Sequence, residues 1–562
     1  MSDELFKQLN ALDESLTSVK KNYETNWQDT AKYFLPTKTD ITQKKTEGDY
    51  KDVFTLYDST TVVSLDNFAN IINGTLTNKS TPWFKVAKEE DAIEDNDKIT
   101  EWLDITTKKL WSEIYNPTSN FEVAHYENLQ AFGCFGNVAM KIEEGKGSLY
   151  NFKPLHIRNY TIAENDEGKV DTCVLTMQME AKQIVSKFGE TGKTDDPNAG
   201  TLHKSITDAA EKSPYQKFDI KFIIMPRKDR NPEKLDVLNM PFVGYWLDVA
   251  NKQIILETGF NSFPIAFGRG SKSAGEVYGA GRALLALADA RSLNRMMSDY
   301  LEASEKSLKP PFVVNAEFER QISLRPLALN RTKGMVGNGR AIEPLIDTKG
   351  FQPTIELMLN KQEAIRKVFF LDKLNVLDDP RATATQILEL RAESYRIMGS
   401  IATSIAEYLE NILNRCFDIA FNKSYSLDGN FTLLPDAVLP EYPEALKPKM
   451  ENGNLITPKF KVEFINPITQ SQRSNQNNSI DALLMSVMNM AQANPAVLDR
   501  IDFDQVVKNK SDILQVDPKI IRNDSDVEAL RSQRDQAMAQ QQQAIMDNTQ
   551  AQTAKTMTEA GL

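Results

Sequence analysis

The stretch from Glu257 to Val314 limits the possible folds more than any other part of the chain. It places glycines at 259, 268, 270, 275, 279 and 281, then runs for about 28 residues with neither glycine nor proline until Pro310-Pro311. Proline lacks the N–H that a continuing helix needs and biases its predecessor away from helix, so the stop is well defined. A helix from Gly281 to Leu308 would be roughly 40 Å long at 1.5 Å per residue. Upstream, the pattern predicts a strand ending in a turn at Thr258-Gly259 and another strand at Pro264. Downstream come about 40 residues of short strand and turn material with Gly334, Gly337 and Gly339. A second helix is then predicted from Pro353, a residue suited to the first helical turn, to about Phe370. Two helices flanking a small β-rich insertion make a tall hairpin with a knob at its end. From the residues alone, a protruding interaction arm of any large protein fits equally well.

The rest of the chain alternates in character. Leu5, Leu9, Leu12, Leu16, Val19, Tyr23 and Trp27 fall three or four apart, an apolar stripe along one helix that ends at Leu35-Pro36. That stripe suits either a coiled-coil seam or packing against the body. A second helix opens at Leu56-Tyr57-Asp58-Ser59-Thr60 and ends near Gly74. Between Gly147 and Phe267 strands dominate: Lys169 to Met177, Phe218 to Met225, and Gly244 to Leu247 with Gln253 to Glu257 behind it, with Ala181 to Phe188 a short helix. Leu371 to Pro380 breaks helicity, and Asp379-Pro380 is an N-cap followed by a first-turn proline. The helix it starts can run to about Phe421, with Ile387, Leu390, Met398, Ile401, Ile405, Leu409 and Ile412 on its apolar face. Gly399-Ser400 in its middle is the kind of pair that permits a kink. Residues 422–469 return to short strands. Ile480, Leu483, Leu484, Val487, Met488 and Ala491 mark another amphipathic helix stopped at Pro495. The Gln-rich tail from Arg531 suits a helix in an assembly or disorder in the free chain.

Chemistry is hard to build from these residues. Cys134, Cys173 and Cys416 lie far apart, so neither a disulfide framework nor a zinc site is indicated. The three histidines, His125, His156 and His203, sit in unrelated contexts. Glu122 and His125 have the spacing of half a carboxylate-bridged metal site, but no second Glu-x-x-His completes it. Gly192-Lys193-Thr194 imitates the end of a phosphate-binding loop; the glycine such a loop needs five residues earlier is Lys187 here. The expectation is therefore no catalytic, cofactor-binding or metal-binding residue. The formal net charge of −12 argues against an outer surface that clings to nucleic acid, since such binding neutralises phosphates. An acidic wall with few basic contacts would still let a polyanion slide past; ordinary solubility explains the acidity equally well. No apolar run suffices to cross a bilayer, and the acidic N-terminus is unlike a signal peptide.

Several motifs, in order, resemble the portal proteins (head-to-tail connectors) of short-tailed bacteriophages. They are Tyr57-Asp58-Ser59, Asn73-Gly74-Thr75-Leu76, Pro82-Trp83-Phe84, Ser119-Asn120-Phe121 and Phe132-Gly133-Cys134-Phe135-Gly136. Phe263-Pro264, Gly275-Glu276-Val277-Tyr278-Gly279-Ala280-Gly281, Ala286-Leu287-Ala288-Asp289 with Leu293-Asn294, and Pro310-Pro311 follow. The resemblance spans Trp27 to about Ser479. It departs from the family pattern at Phe267-Gly268-Arg269, where members usually carry an aromatic such as tryptophan, and at Arg282, where they carry proline.

The resemblance implies a helix-rich α+β portal fold. Residues 1–270 would form the wing, 271–308 the first stem helix, 309–350 a small β-containing clip and 351–370 the second stem helix. A tunnel loop at 371–382 would precede a long kinked helix at 383–421, with 422–470 completing the wing, 471–530 a helical crown and 531–562 a tail. It implies that Leu371, Asp372, Lys373, Leu374, Asn375, Val376, Leu377, Asp378 and Asp379 ring the channel as a valve. Lys373 and Arg381 would contact DNA phosphates while Asp372, Asp378 and Asp379 keep the grip loose; Gly399 and Ser400 would be the kink. The implied assembly is a homo-oligomeric ring, a dodecamer, closed through heterologous contacts. Its implied partners are double-stranded DNA in the channel, the terminase large subunit, major capsid and scaffolding proteins, tail adaptor or nozzle proteins, and internal core or ejection proteins. Its implied place is the virion's portal vertex, after assembly in the host cytoplasm, with no membrane insertion. The alternatives are another structural head-tail adaptor or tail nozzle protein and, more remotely, a ring-shaped DNA-processing enzyme.

Overall fold

The computed structural model describes residues 2–43, 52–80, 82–88, 97–145, 147–189, 202–231, 237–308, 312–314, 342–344, 352–371, 399–425, 433–441, 449–451, 454–456, 460–464, 467–492, 494–514, 522 and 524–559. Two units make up the chain: residues 1–93 with 102–468, and residues 94–101 with 469–562. In chain order the elements begin with α1 (Ser2–Phe34), α2 (Thr60–Leu76), β1 (Phe84–Lys88), α3 (Asp97–Ile114), α4 (Phe121–Phe135), β2 (Asn137–Glu144) and β3 (Tyr150–Pro154). Next come β4 (Tyr160–Glu164), β5 (Val170–Glu180), α5 (Ala181–Phe188), α6 (Lys204–Lys212), β6 (Lys217–Pro226), β7 (Phe242–Asp248), β8 (Gln253–Phe260) and β9 (Ile265–Arg269). The remainder is α7 (Arg282–Leu308), β10 (Phe312–Val314), β11 (Ile342–Pro344), α8 (Gln352–Val368), α9 (Gly399–Ser424), β12 (Lys449–Glu451), β13 (Asn454–Ile456), β14 (Phe460–Phe464), α10 (Pro467–Ala491), α11 (Phe503–Leu514) and α12 (Asp524–Glu559). The result is a helix-rich α+β fold.

The stripe on α1 packs against a sheet. Strands β4 to β8 form an antiparallel meander in sequence order, and Leu9 is buried against Val174, Ile223 and Leu247 on its β5, β6 and β7, with Leu5, Leu12 and Leu16 beside it. Burying a leucine of this kind contributes about 2 kcal/mol. Alternation along the strands delivers the contact: Ile220, Phe222 and Ile224 point to one side of β6 and Ile223 to the other, with both sets buried. Asp13 and Lys221 close an ion pair at 2.5 Å beside the seam. Between β5 and β6, α5 begins with a capping box in which Glu180 and Gln183 satisfy each other's backbone N–H groups.

A second sheet, in the order β3-β2-β9, is buried along almost all of β2 and β9. Helix α4 feeds it directly. Gly136 ends that helix with φ +71°, and its N–H donates to the Phe132 carbonyl at 2.9 Å, a left-handed cap that glycine adopts freely. A third pairing joins distant parts of the chain: β1 runs antiparallel to β14, with Val86 opposite Val462.

Strand β8 differs from its predicted end. It continues through Thr258-Gly259 to Phe260 because Gly259 serves close packing instead of a turn; a Cβ there would run into the Val237 carbonyl oxygen. Helix α2 likewise passes Gly74 and stops at Leu76; that glycine has no neighbour within 4 Å of a would-be Cβ, so nothing local ends the helix there. In the second unit, α10 precedes a 3-10 segment at Pro495–Arg500, and α12 is a 36-residue helix covering most of the Gln-rich tail. Within that unit Arg531 makes two hydrogen bonds of 2.7 Å to the Asp504 carboxylate.

Candidate functional site

The segment that dominates the sequence becomes a junction from which a pair of helices departs. Two motifs meet there backbone to backbone. Gly270 N–H donates to the Gly136 carbonyl at 2.7 Å, and the Asn137 side-chain amide exchanges two hydrogen bonds with the backbone of Gly279, at 2.8 and 2.9 Å. A Cβ at Gly281 would stand 2.5 Å from the Cys134 carbonyl oxygen, and one at Gly279 would stand 2.7 Å from the Gly270 nitrogen. These glycines are needed because main chain lies where side chains would be. Tyr278, between them, is buried; its ring packs 5.2 Å from Tyr23 and 5.1 Å from Trp27, and its hydroxyl accepts from the Ile162 N–H at 3.3 Å. The junction thus ties α1, β4 and β9 to the start of α7.

From Gly281 the chain turns at once into α7, the run free of glycine and proline that Pro310-Pro311 closes in the sequence. Ala283, Ala286, Ala290 and Leu293 are buried, three of them small, on the face that meets the body. Helix α8 pairs with α7, and the Lys361 ammonium lies 2.6 Å from the Asp289 carboxylate across that contact. Brackets to the N-terminal region hold the pair. Asn294 accepts from the Tyr57 N–H at 2.8 Å and donates to the Thr55 carbonyl at 3.3 Å, Gln362 donates to Asp58 at 2.7 Å, and Arg291 pairs with Asp29 at 2.7 Å. The two sequence motifs Tyr57-Asp58-Ser59 and Leu293-Asn294 are therefore in direct contact.

The end of α8 is anchored by aromatic residues whose role the sequence did not reveal. Phe369 is fully buried, 5.7 Å from Phe34 and 5.6 Å from Phe68. Phe370 follows with φ +59°, a left-handed conformation uncommon for a bulky residue, and the Arg282 guanidinium sits 4.5 Å from its ring centre. Leu371, the first of the expected valve residues, is buried. Asp372, Lys373, Leu374, Asn375, Val376, Leu377, Asp378, Asp379 and Arg381 lie outside the described residues, as does the decoy at Gly192-Lys193-Thr194. Gly399 and Ser400 open α9 as described, so the expected kink falls at the edge of what is described.

Helix α9 is rooted in the same body. A Cβ at Gly268 of β9 would stand 2.7 Å from the Tyr408 Cβ, so glycine lets helix and strand close up. Tyr408 accepts from the Asn128 amide at 3.0 Å, and Tyr150 donates to the Cys416 carbonyl at 2.9 Å. His125 is sandwiched between Phe121 and Tyr408, with ring centres at 5.2 and 5.9 Å, and its Nε2 lies 3.0 Å from the Thr77 hydroxyl. Burial pushes its pKa down to about 3, so it is a neutral core ring. Glu122 points elsewhere, to Lys79 at 2.8 Å, and among the described residues no His, Cys, Asp and Glu side chains cluster to hold a metal ion. Burial pushes all three cysteine thiols up, which makes them inert packing residues. No described helix is long and apolar enough to cross a membrane.

Both paired helices also carry apolar side chains left about half or more exposed among the described residues. Leu285 and Leu301 on α7 are 68% and 48% exposed; Leu357 and Leu359 on α8 are 48% and 58% exposed.

Residues 7–521 match the family model described as bacteriophage head to tail connecting protein. The portal protein of Salmonella phage epsilon15 is 23% identical over 99% of this chain and 95% of its own length. The probable portal protein of Bordetella phage BPP-1 is 25% identical over 96% of this chain and 93% of its own. Among solved structures, a chain from the virion of a native gene transfer agent (GTA) particle covers 64% of this chain and 79% of its own length, at 10% identity and a TM-score of 0.32.

Proposed function

This chain belongs to the bacteriophage head to tail connecting protein family, and from that premise we propose that it is the portal protein of a short-tailed phage. It is a structural part of the virion at the junction of head and tail, and not an enzyme. The observation that carries this reading is the near end-to-end correspondence with the epsilon15 portal protein, 99% of one chain against 95% of the other. A separate adaptor or tail nozzle protein is disfavoured by the same correspondence, and a DNA-processing enzyme by the family.

The finer reading is that copies of the chain close into a ring of about twelve, each contact joining unlike surfaces of neighbouring copies. The exposed leucines of α7 and α8 support it: a soluble chain rarely leaves such side chains in water unless another surface covers them. In this ring α7 and α8 are the stem around a channel, residues 309–350 the clip, 1–270 with 422–470 the wing, and 471–530 the crown. The loop at 371–382, rooted by the buried Leu371, faces DNA, and Lys373 and Arg381 meet phosphates. The terminase large subunit would dock to fill the head, capsid and scaffolding proteins would hold the wing, and tail adaptor or nozzle proteins would take the clip, with internal core or ejection proteins above the crown. Assembly would take place in the host cytoplasm. Net acidity suits this task, because a repelling wall keeps a polyanion from sticking as it passes.

Electron micrographs of the purified chain test the proposal. Rings with a central hole are the expected result; compact monomers at high concentration would overturn it.

A further inference from the structure

Strand β5 outruns one of its neighbours. It pairs with β6 as far as Glu180, but its pairing with β4 stops at Tyr160 opposite Leu175. The chain that precedes β4 coils into a 3-10 turn at Ile157–Asn159 and does not continue the ladder. From Thr176 onward, the β4 side of β5 thus has no partner strand among the described residues. Two hydrogen bonds at the strand's end show which way its main chain faces. Ala181 N–H donates to the Gln216 carbonyl at 2.9 Å, on the β6 side, whereas Glu180 N–H turns to the Gln183 side chain at 3.2 Å. Antiparallel strands alternate this direction residue by residue, so Thr176 and Gln178 point their N–H and C=O groups away from β6. The open edge borders a cleft of about 1200 Å³, which Thr176, Met177 and Met179 line together with residues of β2, β3 and α5.

Leu175, Phe222 and Trp246 are cross-strand neighbours, so Met177 and Met179 share their face of the sheet. Lysines cover that same face. Lys141 is buried, its ammonium 5.0 Å from the Phe222 ring centre and 4.9 Å from that of Trp246, and Lys187 lies 4.3 Å from the Trp246 ring. Glu143 faces three ammonium groups, Lys141 at 2.7 Å, Lys187 at 3.3 Å and Lys153 at 3.7 Å. The cleft's other two carboxylates are engaged elsewhere: Glu180 caps α5, and Glu144 acts on Arg415. Cations taken out of water are costly unless paired; the aromatic faces offset part of that cost but supply no negative charge. Burial pushes Lys141 down to about 8 against the pull of Glu143.

We propose that this cleft binds an extended, carboxylate-rich segment of another protein, added as a strand along the open edge of β5. Each half of the site selects one half of that description. The edge offers N–H and C=O groups in strand spacing, which a polypeptide main chain in extended form completes. The lysines ask for negative charge, and because side chains alternate along a strand, carboxylates at every second position would all fall on the face the lysines cover. A nucleic acid meets the second demand and not the first, and the chain's net charge of −12 works against it. The site is complete within one copy of the chain, so it stands apart from the ring reading.

A fluorescein-labelled peptide of six Glu-Thr repeats, titrated with the full-length chain and followed by anisotropy, tests the proposal. It is expected to bind about tenfold or more tightly than the same peptide with glutamine in place of glutamate. Two further peptides, N-methylated at every glutamate or at every threonine nitrogen, keep all the charge, and at least one should bind about tenfold more weakly because it has lost the N–H groups facing β5. These comparisons need no change to the protein. A Lys153→Gln, Lys187→Gln variant, altering two partly exposed lysines, should also weaken binding about tenfold. No binding, full binding by both N-methylated peptides, full binding by the variant, or equally tight binding of a thymidine oligonucleotide of the same charge would each overturn the proposal. Binding shown by the unassembled chain and absent from rings would give the cleft to a neighbouring copy, and would overturn it too.

Discussion

Gly136 meets two demands at once. Its φ of +71° is strained for any other residue, and a Cβ would overlap the Ala280 carbonyl carbon. Gly136→Ala is therefore expected to cost about 2–4 kcal/mol, read as a lowered denaturant midpoint, whereas Gly74→Ala, with open space around it, should be neutral or slightly stabilising. His125 gives the pH dependence. Its folded pKa, about 3, lies below the unfolded value of 6.5 because burial resists the charge, and His156 is lowered to about 4, by burial first. Each thus contributes stability that is complete above pH 6.5 and is lost as pH falls toward the folded value, about 1.4 kcal/mol per pH unit per histidine. Denaturant midpoints measured from pH 7 down to 5 should fall, and His125→Gln should flatten the slope by up to one proton's worth. The sequence could flag His125 as a lone helical histidine; only the fold reveals the Phe121–His125–Tyr408 stack, because Tyr408 comes from a helix hundreds of positions away.

Among the elements, the paired helices α7 and α8 were the most legible in sequence. A glycine-rich launch, an uninterrupted run and a double proline are local signals, and each acts within a few residues. The α1 stripe was legible as a stripe but not in its destination, since the same spacing serves a helix seam or a sheet; β5, β6 and β7 decide it. Strand β1 was missed because its partner, β14, lies at the other end of the chain and its own alternation, Phe84-Lys85-Val86, is too short to read alone. The exposed leucines provide the test at this scale. Leu285→Lys with Leu359→Lys touches no described packing, so the single chain should keep its unfolding midpoint within about 0.5 kcal/mol. Ring formation, followed by sedimentation velocity, should need at least tenfold more protein; unchanged rings would remove these two side chains from the contact.

At the scale of the whole molecule, the family and general architecture came from motifs in order along the chain, while the site expected to touch DNA came from resemblance alone and has no local physical signature. Charges on a loop look the same in sequence whether they meet phosphate or water. The consequence is separable in the virion: Lys373→Ala with Arg381→Ala should leave rings intact and heads able to fill, yet lower DNA retention, measured as the fraction of full heads surviving storage. Heads that stay full would remove those two residues from the role. The glycine junction between Gly136 and Gly281 bears on a different property. A hinge made of side chains yields by rotamer changes, but here peptide presses on peptide, braced by the buried Asn137 amide. A push on the tall helices is therefore passed to the β-sheets as through a welded bracket, and whatever flexing the machine needs must come from somewhere else.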